Sequence, residues 1–243
     1  MIRYIQTPLL CTALITVFLN HTAFAADPST GATKNGNPAF FEKHAAFLRR
    51  ANEGPVGLVF IGDSITLGWG KVPEIWEKAW GKYQPFSVLE AIGPSYVIWC
   101  IEEGELDKIT PKVVVLMIGT NNTEDDSAKD IANANRKIIS MIQDKRPDTN
   151  ILLLAVFPRG PRSMRGGVAD PWEMRMDKIR AINADMTKLD NGNSIRFLDL
   201  GPKFTSADST IAQAFMPDQL HLSAAGYEIW AEGMAPLLEG MMK

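Results

Sequence analysis

Short apolar runs alternate with amphipathic helical patterns along most of the chain, and this alternation constrains the fold more than any other feature. The apolar runs are 58–61, 86–92, 113–118, 151–157 and 195–200. The helical stretches are roughly 72–80, 96–106, 128–144, 172–189 and 223–241, preceded by an amphipathic stretch from about residue 40 to 48. The middle runs are nearly continuous Val, Ile and Leu, as in strands that are buried on both faces. The pattern predicts an α/β protein with a five-stranded parallel sheet and right-handed crossovers.

The first 25 residues have the three-part pattern of a secretory signal peptide. Arg3 is the only charged residue there, an apolar stretch follows over 8–19, and Ala23-Phe24-Ala25 forms a small-x-small cleavage site. The apolar stretch is shorter than the ~20 residues of a membrane span. We therefore expect a secreted or periplasmic protein with a signal peptide over 1–25, a flexible leader over 26–38 and a single domain over 39–243. The alternative is an interfacial anchor that is never cleaved.

Composition excludes several classes of protein and of cofactor chemistry. Hydrophobic residues make up 46% of the chain and the net charge is −3, which excludes disorder and gives no basic footprint for nucleic acid. Beyond the N-terminal segment, the only histidines and cysteine are His44, His221 and Cys100. The patterns favour core positions for His44 and Cys100, which leaves too few ligands for zinc. We expect no metal, no cofactor and no stable membrane insertion after signal cleavage.

Polar residues with catalytic potential follow three of the predicted strands. Ser64 follows the first strand, Asn121 follows the third, and Asp218 and His221 follow the fifth through a loop. The carboxyl ends of parallel strands lie at one edge of a sheet, where ligands bind. A carboxylate three residues before a histidine can hold the Nδ1 proton and leave Nε2 free as a base. These residues predict a hydrolytic site with a nucleophile, a base and an orienting carboxylate.

Other catalytic patterns fail on spacing. The segment Gly62-Asp63-Ser64-Ile65-Thr66 lacks the second glycine of a G-x-S-x-G turn. The chain has no Walker A sequence, no G-x-G-x-x-G after a strand and no H-E-x-x-H.

The motifs in order resemble the SGNH (GDSL) hydrolase superfamily, in the branch of platelet-activating-factor acetylhydrolase-like proteins and bacterial acylesterases. They are Gly62-Asp63-Ser64, Gly104-Glu105-Leu106, Gly119-Thr120-Asn121-Asn122, Phe157-Pro158-Arg159-Gly160 and Asp218-Gln219-Leu220-His221. The resemblance spans about residue 47 to the C-terminus and implies a three-layer α/β/α flavodoxin-like fold. It implies Ser64 as nucleophile, His221 as base and Asp218 as orienting residue. It also implies an oxyanion hole made by the Ser64 and Gly93 backbone N–H groups and the Asn121 side chain.

The second block departs from the family pattern. Relatives usually follow its glycine with Asp and a turn containing Thr or Arg, whereas Gly93 here precedes Pro94 in a segment about two residues shorter. Proline has no N–H to donate and biases the preceding residue toward extended backbone. We expect the Gly93 N–H to point into the site, because glycine permits close backbone approach. The alternative is a site with two donors.

The resemblance implies a secreted serine esterase that forms an acyl-enzyme. Export fits short acyl esters such as acetyl groups on carbohydrate, with Asp63, Trp69 and Arg159 as candidate substrate contacts. For Trp69 and the arginines of the 158–171 loop, surface packing and solvated charge are the alternative. The alternatives for the whole protein are a lysophospholipase or platelet-activating-factor-type lipid hydrolase, and a non-catalytic carbohydrate-binding protein of the same fold.

Overall fold

A computed structural model describes residues 27–33, 37–88, 93–163, 167–206 and 210–243. The proposed signal peptide lies outside these residues. The strands are β1 (Leu58–Gly62), β2 (Pro85–Val88), β3 (Val113–Met117), β4 (Asn150–Leu154) and β5 (Ile195–Leu198). The α-helices are α1 (Pro38–Arg50), α2 (Ser64–Leu67), α3 (Pro73–Trp80), α4 (Pro94–Glu102), α5 (Ala128–Lys145), α6 (Trp172–Met186) and α7 (Ala224–Met241).

The five strands form one parallel sheet in the order β2-β1-β3-β4-β5, which confirms the predicted fold class. This is the doubly wound order of flavodoxin-like folds. Every residue of β1 and β3 is buried, as their unbroken apolar sequences predict. Of the second predicted strand, residues 89–92 lie outside the described residues.

Apolar side chains from the two faces of the sheet form separate cores. Helices α1, α4, α5 and α6 contribute to one core, whose members include Phe47, Ile98 and Ile138. Helices α2, α3 and α7 contribute to the other core, in which Trp80 and Trp230 are fully buried. The sheet therefore lies between two helical layers, with the carboxyl ends of its strands at one edge.

Local capping explains where the helices begin and end. Ser127 and Ser223 accept hydrogen bonds from backbone N–H groups in the first turns of α5 and α7. The helix predicted over 96–106 begins at Pro94, because proline suits a first helical turn. It ends at Glu102, because Gly104 has a φ of +93° and reverses the chain.

Part of the segment predicted as a flexible leader contacts the rest of the molecule. The Ala32 N–H donates to the Ser95 carbonyl at 3.0 Å, and the Lys137 ammonium donates to the Ser29 carbonyl at 2.8 Å. Within the described part of the chain, no helix is both long enough and apolar enough to cross a membrane.

Candidate active site

The turn after β1 presents Ser64 at the first position of helix α2. The Asp63 carboxylate caps the helix by accepting from the Ile65 N–H at 2.9 Å. A Cβ on Gly62 would lie 2.0 Å from Thr66 Oγ1 and 2.6 Å from the Met117 carbonyl, so only glycine permits this approach of β1 to its neighbours. The first N–H groups of a helix have no acceptor within the helix, so the Ser64 N–H is suited to an anionic ligand.

The segment before α7 holds Asp218 and His221 in a tight turn. Asp218 Oδ1 accepts from the N–H groups of Leu220 and His221, at 3.1 and 2.7 Å. Gln219 adopts a φ of +63°, which is uncommon for a residue other than glycine. The Gly160 N–H donates to the Gln219 carbonyl at 2.9 Å and ties the long 158–171 loop to this turn.

A chain of hydrogen bonds joins the three residues. Ser64 Oγ lies 3.0 Å from His221 Nε2, and His221 Nδ1 lies 2.8 Å from Asp218 Oδ2. Ser64 and His221 are separated by 157 positions in sequence, so the tertiary fold brings them together. A carboxylate on Nδ1 selects the tautomer in which Nε2 can accept the serine proton. The arrangement can therefore activate Ser64 Oγ as a nucleophile.

Arg162 also binds the carboxylate of Asp218. Its guanidinium donates to Oδ2 at 3.0 Å, the same oxygen that contacts His221 Nδ1. Partial burial disfavours ionisation of Asp218, but the His221 N–H, the imidazole and the Arg162 charge outweigh it and lower the pKa of this carboxyl. Asp218 is therefore a carboxylate at neutral pH and can stabilise an imidazolium.

Asp63 stands in a different electrostatic environment from Asp218. It is only 1% exposed, and burial raises its pKa to about 6, although the Ile65 N–H and His221 oppose this rise. In the unfolded chain the carboxyl ionises near its ordinary value of 3.8. The folded state therefore loses stability as the pH rises from about 4 to about 6, and the penalty is fully present above that range.

We expect Asp63→Asn to remove this penalty while keeping the cap, since Asn caps helices as well as Asp. The free energy of unfolding, measured with urea, should exceed that of the wild type by up to ~3 kcal/mol at pH 7.5 and change little at pH 3.5. Asp125→Asn, at an exposed position, is the matched control. An equal effect of Asp63→Asn at both pH values would contradict the assignment of the raised pKa.

Asn121 and Gly93, two of the predicted oxyanion-hole residues, lie on different segments of the chain. Strands β1 and β3 are paired, with Gly62 beside Met117, so the segments after them leave the sheet side by side. Asn121 is partly buried at the start of the 3-10 turn Asn121–Thr123. Gly93 caps α4 with extended backbone (φ −162°, ψ 175°), and a Cβ on it would lie 2.4 Å from Asn122 Oδ1. Gly93 therefore touches the residue next to Asn121.

All three candidate substrate contacts are largely buried, although Arg159 also lines the cavity described below. Trp69 is 1% exposed, with its ring 4.6 Å from Tyr227 and 5.2 Å from Trp230 between ring centroids. Asp63 caps α2, as described above. Arg159 is 4% exposed and its guanidinium pairs with the buried carboxylate of Asp170. Sequence patterns could not separate these roles, because a tryptophan or arginine near a strand end suits either surroundings.

Other residues that shape the site carry no local sequence signal. Tyr227 on α7 donates its hydroxyl to the Ile65 carbonyl at 2.6 Å, and burial raises the pKa of this phenol. A Cβ on Gly68 would lie 1.9 Å from that hydroxyl, so Tyr227 fixes the chain just after Ser64. The sequence distinguished Arg162 only as one of the arginines of the 158–171 loop that could contact substrate. Its contact with Asp218 spans 56 positions, which no local pattern reveals.

A cavity of about 640 Å³ lies beside the Asp218–His221 turn. Gln219 and Gly160 line it on the side of this turn, and Trp172, Met176 and Asn183 line it from α6. It offers both aromatic and polar groups to a bound molecule.

Comparisons with known proteins identify the family. A model of the GDSL-like lipase/acylhydrolase family matches residues 60–229, which include Ser64, Asp218 and His221. The human platelet-activating factor acetylhydrolase IB subunit alpha1 is 30% identical over 213 residues, covering 84% of each chain. The chain is thus a carboxylic ester hydrolase. It belongs to the GDSL-like lipase/acylhydrolase family.

Solved structures show the same fold at low sequence identity. A putative acylhydrolase from Bacteroides fragilis matches with a TM-score of 0.65 at 16% identity, covering 82% of this chain and 97% of that one. A carbohydrate acetylesterase family member from Sinorhizobium meliloti matches with a TM-score of 0.56 at 14% identity, covering 76% of this chain and 98% of the other.

Proposed function

We propose that this protein is an exported serine esterase that hydrolyses short acyl esters, such as acetyl groups on carbohydrate, through an acyl-enzyme. The hydrogen-bonded chain from Ser64 through His221 to Asp218 is the observation that carries this proposal. It contains the nucleophile, base and orienting carboxylate that acyl transfer requires.

The reaction divides into acylation and deacylation. His221 Nε2 takes the Ser64 proton while Oγ attacks the ester carbonyl, and the tetrahedral oxyanion accepts hydrogen bonds from the Ser64 N–H, Asn121 and Gly93. The intermediate collapses when His221 protonates the leaving alcohol, and the acyl group remains on Ser64. His221 then deprotonates a water molecule, which attacks the acyl-enzyme to form a second tetrahedral intermediate. This intermediate collapses as His221 returns the proton to Ser64 Oγ, which releases the carboxylic acid and free Ser64. Asp218 stabilises the imidazolium in both steps.

Two relatives of different kinds support a short acyl group. The human relative is named an acetylhydrolase, and the Sinorhizobium meliloti structure is described as a carbohydrate acetylesterase. The cavity beside the Asp218–His221 turn has neither Ser64 nor His221 in its lining, so it does not favour one alcohol over another. The second candidate is a lipid ester, either a lysophospholipid or a lipid of the platelet-activating-factor type, and the name of the human relative favours the latter.

Hydrolysis of p-nitrophenyl esters of increasing acyl length tests this function directly. We expect kcat/KM to be highest for acetate and to fall with each lengthening of the chain, and acetylated xylan or chitooligosaccharide to release acetate. Highest activity on decanoate, release of fatty acid from lysophosphatidylcholine, or faster release of acetate from platelet-activating factor than from the acetylated saccharides would support the lipid candidate. The non-catalytic alternative would be indicated if the protein hydrolyses none of these esters and a fluorophosphonate does not label Ser64.

Export can be tested by finding where the expressed protein is located in the cell and at which residue the mature chain begins. In a bacterial host we expect the chain to leave the cytoplasm and to begin at Ala26, as read by intact mass. Retention in the cytoplasm with residues 1–25 attached would contradict the proposed signal peptide.

Arg162 should tune the pH dependence of this reaction. In Arg162→Gln, Asp218 keeps its charge but loses a competing cation, so it should stabilise the imidazolium better. The acidic limb of the kcat/KM profile should therefore shift upward by up to about 1 pH unit. Arg49→Gln, at an exposed position on α1, is the control. An unchanged limb, or a downward shift, would contradict this role.

Gly93→Ala tests the third oxyanion donor. The extended backbone of Gly93 suits any residue, so the added methyl should act only by displacing Asn122 and the adjoining backbone. We expect kcat/KM to fall by as much as about 10²-fold with little change in melting temperature, and Asn121→Ala to cost about 10²–10³-fold. If Gly93→Ala is neutral while Asn121→Ala abolishes turnover, the site has two donors.

A further inference from the structure

A second cluster of reactive side chains brings together helix α1 and the C-terminal end of helix α4. It consists of His44 on α1, Cys100 on α4 and Glu105 just beyond α4. One donor atom from each residue lies within 4.8 Å of the others, the only such three-residue group of His, Cys and carboxylates among the described residues. The proposed esterase mechanism uses none of the three.

The backbone sets Cys100 and Glu105 side by side. Gly104, with its φ of +93°, donates to the Ile101 carbonyl at 3.2 Å, and the Glu105 N–H donates to the Cys100 carbonyl at 3.2 Å. These are the two hydrogen bonds of a Schellman motif, in which the residues at the ends of the longer bond usually make an apolar contact. Here a thiol and a carboxyl group occupy those places. Their position therefore follows from the end of α4 itself.

The cluster is buried and built from good metal ligands. Cys100 is 1% exposed, Glu105 2% exposed and the His44 side chain 12% exposed. His44 Nδ1 lies 2.7 Å from Glu105 Oε1, and the Cys100 thiol is hydrogen-bonded to the same carboxyl group. Ligand atoms around tetrahedral zinc are about 3.3–3.8 Å apart. An ion therefore fits after the His44–Glu105 contact opens by roughly 1 Å.

The charge balance suits a divalent cation. Zinc binds cysteine as a thiolate, glutamate as a carboxylate and histidine as a neutral imidazole. A dication held by one ligand of each kind leaves the buried cluster uncharged. The nearby Glu103 adds negative potential at both His44 and Cys100.

We propose that His44, Cys100 and Glu105 form a structural site for Zn²⁺, with water or the second carboxylate oxygen as the fourth ligand. A mixed set of imidazole nitrogen, thiolate and carboxylate is one that zinc accepts, whereas magnesium and calcium prefer oxygen alone. Binding would link α1 to the end of α4, because it joins residues 44 and 105 directly. The free energy of binding would then add to the stability of the folded chain.

Cobalt binding to the full chain tests the site, after removal of bound metal and with thiols kept reduced by a phosphine. We expect one Co²⁺ per chain with a sulfur-to-cobalt charge-transfer band in the near ultraviolet, and displacement of that band by Zn²⁺. At a free Zn²⁺ concentration of 100 times Kd, the melting temperature should rise by about 5–10 °C. Absence of binding in the wild type would overturn the proposal.

Variants assign the ligands. The sequence has two cysteines, Cys11 and Cys100, so a band that persists in Cys11→Ser comes from Cys100. The band should also persist in His221→Ala, which removes the imidazole of the candidate active site. The band should vanish in Cys100→Ser. In His44→Gln the Kd for Co²⁺ should rise by more than the roughly 10–100-fold that is lost when a residue behind a metal ligand is changed. Loss of the band in Cys11→Ser, or its survival in Cys100→Ser, would overturn the site. The Cys11→Ser result decides the question even if Cys100→Ser does not fold.

Discussion

Replacing Ser64 with alanine is expected to lower kcat for ester hydrolysis by at least about 10³-fold, and by up to about 10⁶-fold. The side chain is only partly buried, and its hydroxyl is hydrogen-bonded to His221 Nε2. The variant should therefore fold like the wild type and lose only the hydroxyl that accepts the acyl group. Steady-state kinetics on p-nitrophenyl acetate, with the melting temperature measured in parallel, give both quantities.

Ser140→Ala is the matched control for this change. Ser140 is exposed on α5 and its hydroxyl lies 3.5 Å from Asp144, so the same loss of a hydroxyl should leave kcat unchanged. Residual activity in Ser64→Ala within about 10-fold of the wild type would mean that another group attacks the ester.

Replacing His221 with alanine should cost about as much as replacing Ser64, because neither residue activates the ester without the other. Asp218→Asn should be about 10–100-fold less damaging, since the imidazole remains but loses the carboxylate that orients it and stabilises its charged form. The Asp218 turn complicates this variant, because Oδ1 also accepts from the backbone N–H groups of Leu220 and His221. Asparagine keeps an oxygen for those contacts, which alanine would not.

The double variant Ser64→Ala/His221→Ala distinguishes a coupled pair from two independent residues. Residues that act as one unit have non-additive effects, so the double variant should be no slower than Ser64→Ala alone. A further loss equal to that of His221→Ala alone would show that His221 acts separately from Ser64.

The strands were predictable because each apolar run is long enough for a strand, and the middle runs are nearly continuous Val, Ile and Leu. The run at 113–118 became β3 within one residue, and the strand order follows from the fold that the resemblance implied. The positions of Ser64, Asn121 and His221 after strands also predicted that they share one edge of the sheet. For Ser64 and His221 the structure shows this as a direct hydrogen bond.

What the sequence could not predict depends on contacts between distant segments. Tyr227 reaches Ile65 across 162 positions, and His44 reaches Glu105 across 61. Each of these residues has an ordinary local context, so His44 and Cys100 were interpreted separately as core residues. Trp69 was a candidate substrate contact because it lies near a strand end, with packing as the alternative, and the side on which a helix packs decides whether such a ring is buried. That side is set by α7, far along the chain.

The central claim is that the acyl group passes through Ser64 Oγ, and mass spectrometry of the enzyme during turnover tests it most directly. The wild type is mixed with p-nitrophenyl acetate, quenched in acid within milliseconds to seconds, digested and mapped. We predict one acetyl group per chain, on the peptide that contains Ser64, present in Ser140→Ala and absent from Ser64→Ala. An acetyl group on any other residue that turns over at the rate of hydrolysis, or rapid hydrolysis with no adduct on Ser64 at any quench time, would contradict the mechanism.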